Sequence, residues 1–559
     1  MTPRSHLLRR SAPSRVSLET LESRLLLSVT PTLDLSGLQI DANHAHNSRM
    51  IVQFQPGATP VALPGTTLGA TYDLVPNLYE INLEQGTPLD QALASYRALP
   101  EVALAQVDNL ITSSWVPNDG RLADQWYLRN QGQSGGTVGA DVGAVTAWDV
   151  TTGSRRMAVA VIDSGIDYTH PDLYLNVWIN QREIPASRRA NLLDLDNDGT
   201  ITFRDLNDAR NQGPGKITDL NANGFIDAGD LLKTMVVSTA GVDTGSGGWA
   251  DSISQDGDRY VDDLVGWNFY ANNNNPFDDY GHGTHVSGTI GAVGNNREGV
   301  AGLNWQVQLV PLKIFNESGA GSILSAIAAL DYAVAKGIRI SNNSWNDSSS
   351  NTLAYQAIAR ARAAGHIFVA AAGNQGRNTD GSLVYPAGYD LDNIVSVGAT
   401  DRKDNLASFS NYGTASVDIV APGVDIYNTN PNKSYGLRSG TSMATPQVTA
   451  TIALVWTLRP EWTHQQVISW IKSTATRLPS LQGKVGSGRL NVSAAVRVPP
   501  RGSLLPASLQ PASTSTSTTS STLAPASIPK PSLILAEAMN WQFHLEAEIA
   551  GLLGEDDRD

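Results

Sequence analysis

"MAVAVIDSGID", residues 157–167, is an apolar run that ends on an acid. "MAVAVID" (157–163) has the length and residue types of a strand buried on both faces, the kind found inside a parallel sheet. Asp163 closes it, and a buried carboxylate is costly unless it is hydrogen-bonded. Taken alone, an Asp that caps a turn is the commoner case. Three more runs downstream have the same character: "IRISNNSW" (338–345), "IFVAAAGN" (367–374) and "IVSVGAT" (394–400). Around them, "SILSAIAALDYAVAKG" (322–337), "LAYQAIARARAAG" (353–365) and "TPQVTATIALVWTL" (445–458) repeat apolar residues at helical spacing. Gly337 and Gly365 stand where C-terminal caps belong. Strand–helix alternation of this kind predicts an α/β fold, a mostly parallel sheet covered by helices on both faces, with reactive groups gathered where strands end.

Two further segments carry unusual residues. In "GHGTHVSGTI" (281–290), His282 sits between two glycines at the start of a helical pattern, so another chain can approach the imidazole closely. His282 and His285 could also be read as a zinc pair, but no third ligand follows at helical spacing. In "SGTSMATPQV" (439–448), Ser442 opens a helix with Pro446 in its first turn. A helix N-terminus offers free N–H groups and a positive dipole end, a ready site for a developing oxyanion; the ordinary reading is an N-capping serine. Each segment has a bland explanation by itself. Together they place Asp, His and Ser, in that order, at ends of one sheet. A serine hydroxyl needs a base to become a nucleophile; His282 can be that base and Asp163 can hold its tautomer.

"AVIDSGID", "GHGTHVSGTI", "AAAGN" and "GTSMATP" resemble the four signature blocks of the subtilisin-like serine proteases, the subtilases. The resemblance runs from "ADQWYLRNQGQ" at 123 to "GSGRLNV" at 486–492, about two-thirds of the chain. It implies a subtilisin-like three-layer fold and an Asp163–His282–Ser442 triad acting through an acyl-enzyme. It also implies an oxyanion hole made by the Asn374 side chain and the Ser442 N–H. Ser344, Trp345, Asn346 and Gly373 would line the substrate pocket. "NSWND" puts Asn346 where family members usually have glycine, which puts a preference for large apolar side chains in doubt.

Segment 46–115 ("MIVQFQPG…NLYEINL…LPEVALAQVDN") reads as a small α+β unit and resembles the family's inhibitory propeptide, with the cut expected near 110–118. The other segments are a leader (1–45), the catalytic domain (116–498), a Ser/Thr/Pro linker (499–535) and a tail (536–559). "LETLESRLLLSV" resembles the LEPR-XLL leader of large exported bacterial proteins, so a secreted or surface location is expected. With 53 acids against 39 bases, a nucleic-acid partner is not expected. There is no cysteine, which excludes disulfides and thiol chemistry. No apolar run is long enough to span a bilayer. The expected partners are protein or peptide substrates and the chain's own propeptide, and the enzyme is expected to be a monomer.

Between Asp163 and His282 lies a surplus of sequence. "DLDNDGTITFRD" sets Asp194, Asp196, Asp198, Gly199, Thr200, Thr202 and Asp205 at positions 1, 3, 5, 6, 7, 9 and 12 of an EF-hand-type loop. "DLNANGFIDAGD" sets Asp219, Asn221, Asn223, Gly224, Phe225, Asp227 and Asp230 on the same positions. Position 12 is Asp in both, which resembles dockerin-like loops. Two loops in phase predict a Ca2+-binding pair inserted over 191–235, with Ile201 and Ile226 at position 8 joined by a short β-bridge. "SQDGDRYVDD" (254–263) reads as a degenerate third loop, with Arg259 where Gly is needed. By resemblance, Asp172 in "THPDL" and Asn296 in "GNNREGVAG" match a further structural calcium site of the family. The leading expectation is a self-processing, calcium-stabilised endopeptidase. The alternative is a calcium-dependent adhesion or assembly module whose protease domain acts only on itself.

Overall fold

The computed structural model of the chain describes residues 45–84, 86–109 and 116–499. The chain divides into two units, one up to residue 114 and one from residue 115. The leader, the expected cut, the linker and the tail fall largely or wholly outside the described residues.

The first unit holds β1 (Ala45–Phe54), β2 (Thr66–Thr71), β3 (Leu78–Leu83) and β4 (Val102–Asn109), with one helix, Leu89–Arg97. The strands form an antiparallel sheet in the order β2-β3-β1-β4. Alternate residues Met50, Val52 and Phe54 turn inward onto Leu93 and Tyr96 of the helix. The buried Tyr96 hydroxyl contacts Thr66 Oγ1 at 2.8 Å and accepts from the Leu63 N–H. The described part of this unit is thus α+β, one helix on an antiparallel sheet.

The second unit is built on a sheet of seven parallel strands. In chain order they are β5 (Gly153–Asp163), β8 (Trp267–Asn268), β9 (Gln306–Lys313), β10 (Ile340–Asn343), β11 (Ile367–Ala371), β12 (Ile394–Thr400) and β13 (Ile419–Pro422). Their spatial order is β13-β12-β11-β10-β5-β9-β8. Two small hairpins complete the strands: β6 (Met235–Val237) with β7 (Asp243–Gly247), and β14 (Ile426–Asn430) with β15 (Ser434–Arg438). Alternation along the strands feeds two cores. Val159, Val161, Ile340 and Val369 pack under helices His282–Gly291 and Thr441–Leu458. Ala160, Ile162, Phe368 and Ala370 pack under helices Ile323–Ala335 and Thr352–Ala363. This is the three-layer α/β fold that the alternating runs predict.

Helix Thr441–Leu458 is buried from Thr441 through Trp456, as an element apolar on all sides should be. It starts one residue before Ser442, and Pro446 lies in its interior rather than in its first turn. An interior proline has no N–H to give to the carbonyl four residues back, here that of Ser442. Ser344 Oγ takes over that acceptor at 3.0 Å.

The insertion is folded onto the catalytic unit. Ile201, Phe203, Leu206, Ile226, Ala228 and Leu231 share a third core with Tyr168, Val177, Ile179, Ile184 and Trp249. The expected bridge between Ile201 and Ile226 does not form. The Ile201 N–H and C=O pair with the Gln181 side-chain amide, both at 2.8 Å, and those of Ile226 pair with the Asn207 amide, both at 2.8 Å. Each amide acts as a one-residue strand edge, so the two isoleucines meet through side chains and not through main chains.

Candidate active site and metal loops

Asp163 ends β5, Ser344 follows β10 and Asn374 follows β11, so three neighbouring strands deliver these residues to one end of the sheet. Asp163 is fully buried, and its Oδ1 lies 2.8 Å from His282 Nδ1 and accepts from the Ser164 N–H at 2.8 Å. His282 is the first residue of its helix. The Ser164 hydroxyl accepts from the Gly283 N–H at 2.8 Å and pins that helix to the end of β5. A side chain at Gly283 would sit 2.2 Å from the Gly165 carbonyl, so glycine is what permits this contact. Burial pushes the His282 imidazole down, but the adjacent Asp163 charge and hydrogen bond outweigh it and hold its pKa above the ordinary 6.5.

His285 points elsewhere. Its Nε2 meets the main-chain carbonyls of Ile426 and Gly436 at 3.0 and 3.2 Å, and burial lowers it to about 3. It braces the β14–β15 hairpin as a neutral strut, which disposes of the zinc-pair reading.

Ser442 exchanges hydrogen bonds with Ser344: its hydroxyl donates to the Ser344 carbonyl at 3.0 Å while its own carbonyl accepts from Ser344 Oγ. Among the described residues no hydrogen bond joins Ser442 to His282, although their two helices pack directly on each other. Asn374 Oδ1 accepts from the Thr441 N–H at 2.8 Å and from Thr441 Oγ1 at 2.9 Å, which fixes the amide with Nδ2 unspent. Gly440, at φ 155°, sits between the two donors: a methyl there would be 3.5 Å from Asn374 Nδ2 and 3.6 Å from the Ser442 nitrogen. The two nitrogens thus flank Gly440 at the N-terminus of the helix that carries Ser442. Of the expected pocket residues, Ser344 is buried, Trp345 is half-buried with its ring edge-on to Phe368, and Asn346 is exposed. Gly373 donates its N–H to Thr441 Oγ1.

The two loops have one architecture. In each, the position-1 acid takes the N–H groups of positions 5 and 6: Asp194 from Asp198 and Gly199, Asp219 from Asn223 and Gly224. The position-12 acids close the loops, Asp205 on the Leu195 and Thr202 N–H groups and Asp230 on those of Leu220 and Asp227. Asn197 and Ala222, at position 4, both turn through positive φ, 55° and 57°. Carboxylate oxygens of Asp194, Asp196 and Asp198 lie within 4.8 Å of one another, beside Arg155, which pairs with Asp196. In the second loop Asn221 and Asn223 replace two of those acids and donate to Asp227, which burial raises to about 6. At position 7, the Thr200 N–H donates to Asp198 and the Phe225 N–H to Asn223, and the Phe225 ring stacks on Tyr174 at 4.1 Å. Clustered hard oxygen donors fit calcium.

The third, degenerate loop has a resident cation of its own. Lys336 Nζ lies 2.9 Å from Asp258 and 2.7 Å from Asp263 and also pairs with Asp256, while Glu183 completes the acidic cluster.

Asp172 and Asn296 do come together, with Asn296 Nδ2 on Asp172 Oδ1 at 2.8 Å. The other Asp172 oxygen accepts from the Val300 N–H and the Tyr435 hydroxyl. Asp119 joins this neighbourhood through the Asn295 N–H; burial raises it to about 6, and its Oδ1 has no partner. The sequence reading missed Asp119 because "PNDGR" carries no motif.

The subtilase-family profile matches residues 154–489, more than half of the chain. Subtilisin Savinase of Lederbergia lenta is 44% identical over 220 residues, 39% of this chain and 79% of that protein. The thermophilic serine proteinase of Bacillus sp. (strain AK1) is 31% identical over 356 residues, 64% of this chain and 63% of that protein. A solved chain from the proteases of Pseudoalteromonas arctica aligns at 27% identity and TM-score 0.45, covering 68% of this chain and 98% of that one. The chain belongs to the subtilase family and is a subtilisin-like serine endopeptidase.

Proposed function

We propose that this endopeptidase works through Asp163, His282 and Ser442, and that it is made as a self-processing zymogen, exported, and stabilised by calcium. The observation that carries the reading is the 2.8 Å contact between His282 Nδ1 and the buried Asp163 carboxylate. Asp163 holds the imidazole with Nε2 free to act as base and stabilises the imidazolium that forms. The Ser442 hydroxyl leaves the Ser344 carbonyl by rotation about one side-chain bond and gives its proton to His282 as it attacks the peptide carbonyl. Asn374 Nδ2 and the Ser442 N–H receive the oxyanion. His282 then protonates the departing amine, and water hydrolyses the acyl-enzyme by the same path. Hydrogen bonds of this kind are often absent before substrate binds.

The separate α+β unit ahead of the catalytic unit supports a removable propeptide. The oxygen-rich repeat of the two loops supports calcium binding by Asp194, Asp196, Asp198, Thr200 and Asp205, and by Asp219, Asn221, Asn223, Phe225 and Asp230. Asp172 with Asn296, and now Asp119, is a further candidate calcium site. Bound calcium would supply charge compensation and lock the loops; it has no part in the chemistry. No helix among the described residues is long and apolar enough to cross a membrane. The adhesion alternative looks to the exposed faces of "FRDLNDAR" and "DLLKTM" as a partner surface, and Phe203, Leu206 and Leu231 of those segments are buried.

The test is casein hydrolysis by purified protein together with the mass of the secreted product. Wild type should cleave casein and lose the segment before a cut near residues 110–118. Ser442→Ala should do neither, with a fall of about 10⁶ in kcat. Full activity in that variant refutes the assignment.

A further inference from the structure

The β14–β15 hairpin places Arg438 beside the imidazole. A methyl built on Gly281, the residue just before His282, would lie 3.0 Å from Arg438 Nη2 and 2.9 Å from Pro431 Cδ. The side chain is half-buried. Its one hydrogen bond among the described residues runs from Nε to Asn430 Oδ1 at 3.2 Å, and no carboxylate there pairs with it. Other cationic groups around the catalytic end are accounted for: Lys313 binds Asp279 and the Ser164 carbonyl. Arg438 is close enough that its charge opposes protonation of His282. An unpaired guanidinium in a cleft is a binding group for a carboxylate, since its fork of donors fits that group better than any other.

The chemistry says which part of the substrate it meets. The acyl half stays on Ser442, facing the Asn374 donor and the Ser344–Asn346 segment. The departing amine takes its proton from His282 and so must lie against the imidazole, on the Gly281 flank where Arg438 stands. We propose that Arg438 selects substrates carrying a carboxylate within one or two residues after the scissile bond, either an acidic side chain or the substrate's own C-terminus. This rests on Ser442 and His282 acting as described above.

The test uses mature wild-type enzyme and quenched peptides that differ only in the residue after the scissile bond, Asp against Lys. A half-exposed charge contact favours the acid and disfavours the base, so kcat/KM for Asp should exceed that for Lys by about tenfold. The ratio should shrink toward one in about 1 M salt, where charges are screened beyond about 3 Å. Arg438→Leu should abolish the ratio, Arg438→Glu should invert it, and Arg438→Lys should keep its sign. A ratio does not depend on how much active enzyme survives each substitution. Peptides ending one residue after the bond, as free acid or amide, separate the two carboxylate sources. A wild-type ratio of one or below, or a ratio that persists in Arg438→Leu, overturns the inference. Cleavage of none of the peptides overturns the protease reading, and the inference with it.

Discussion

The catalytic cleft and the inserted loop pair are both polar sites built from acids, and they are held in opposite ways. In the cleft three groups assigned to the chemistry are each held by another protein group: Asp163 by His282 and the Ser164 N–H, Asn374 by Thr441, Ser442 by Ser344. In the first loop three carboxylates face one another, and main-chain N–H groups and Arg155 give only part of the compensation. The cleft is organised by the sheet that delivers it, whereas the first loop gathers acids that a cation could bridge. The degenerate third loop makes the same point from inside the protein, because there Lys336 supplies the positive charge. Chemistry and stabilisation are therefore separable in this molecule, and each can be attacked alone.

The largest expected effect after loss of the nucleophile is on the oxyanion site. Asn374→Ala removes one of two donors and should lower kcat about 10²–10³-fold with little change in melting temperature. A loss of a few-fold only would mean that Nδ2 does not serve the oxyanion.

On the other side of the comparison, Phe203→Ala should cost about 3–5 kcal/mol in stability, because its ring is fully buried where the insertion packs on the catalytic unit. Thermal unfolding measures it. For the same reason, deleting 191–235 would uncover Tyr168, Val177 and Ile179, and should cost more heat resistance than calcium alone supplies. A stable deletion would show that the insertion is only an appendage.

Chelation should lower stability by about 2.7 kcal/mol for each site that had been held at a hundredfold excess over its Kd. The loops should load in order. The first offers Asp at positions 1, 3, 5 and 12, while the second has Asn at positions 3 and 5, and affinity follows ligand charge. Calorimetric titration should give a tighter step lost in Asp194→Ala and a weaker one lost in Asp219→Ala. A single step insensitive to both would break the comparison.

The smallest expected effects follow pH. His282 lies above 6.5, so the acid limb of kcat/KM should fall above that value, where the base becomes protonated. Its pairing with Asp163 adds stability below pH 6.5 that is lost as pH rises through the folded pKa. The neutral buried histidines act the other way. His285 and His366 are lowered to about 3 and about 4, so the unfolded chain binds more protons and stability falls as pH drops from 6.5 toward 4. Denaturation midpoints across that window should decrease steadily.

Much of this was legible because apolar periodicity and spacing are local. "IVSVGAT" is β12 residue for residue, and helix ends at Gly337 and Gly365 fall where αL caps do, at φ 77° and 79°. The strand β9 escaped notice because Pro311 interrupts it and polar residues stand in its first half; β13 is four residues long and ends on proline. The site residues that depend on long-range packing were less visible. Nothing near "GLRSG" announces that Arg438 turns back on Gly281, and nothing in "AKGIRI" (335–340) announces three acids at the tip of Lys336. The Ile201–Ile226 bridge was expected from loop analogy and fails because Gln181 and Asn207 satisfy those main chains first.

The central claim is that one serine is activated by one histidine. Treating the mature protein with an organophosphorus fluoridate and mapping the adduct by mass spectrometry tests it most directly. One adduct, on Ser442, lost in His282→Ala, is the predicted result; modification of another serine, or undiminished modification of Ser442 without His282, would contradict it.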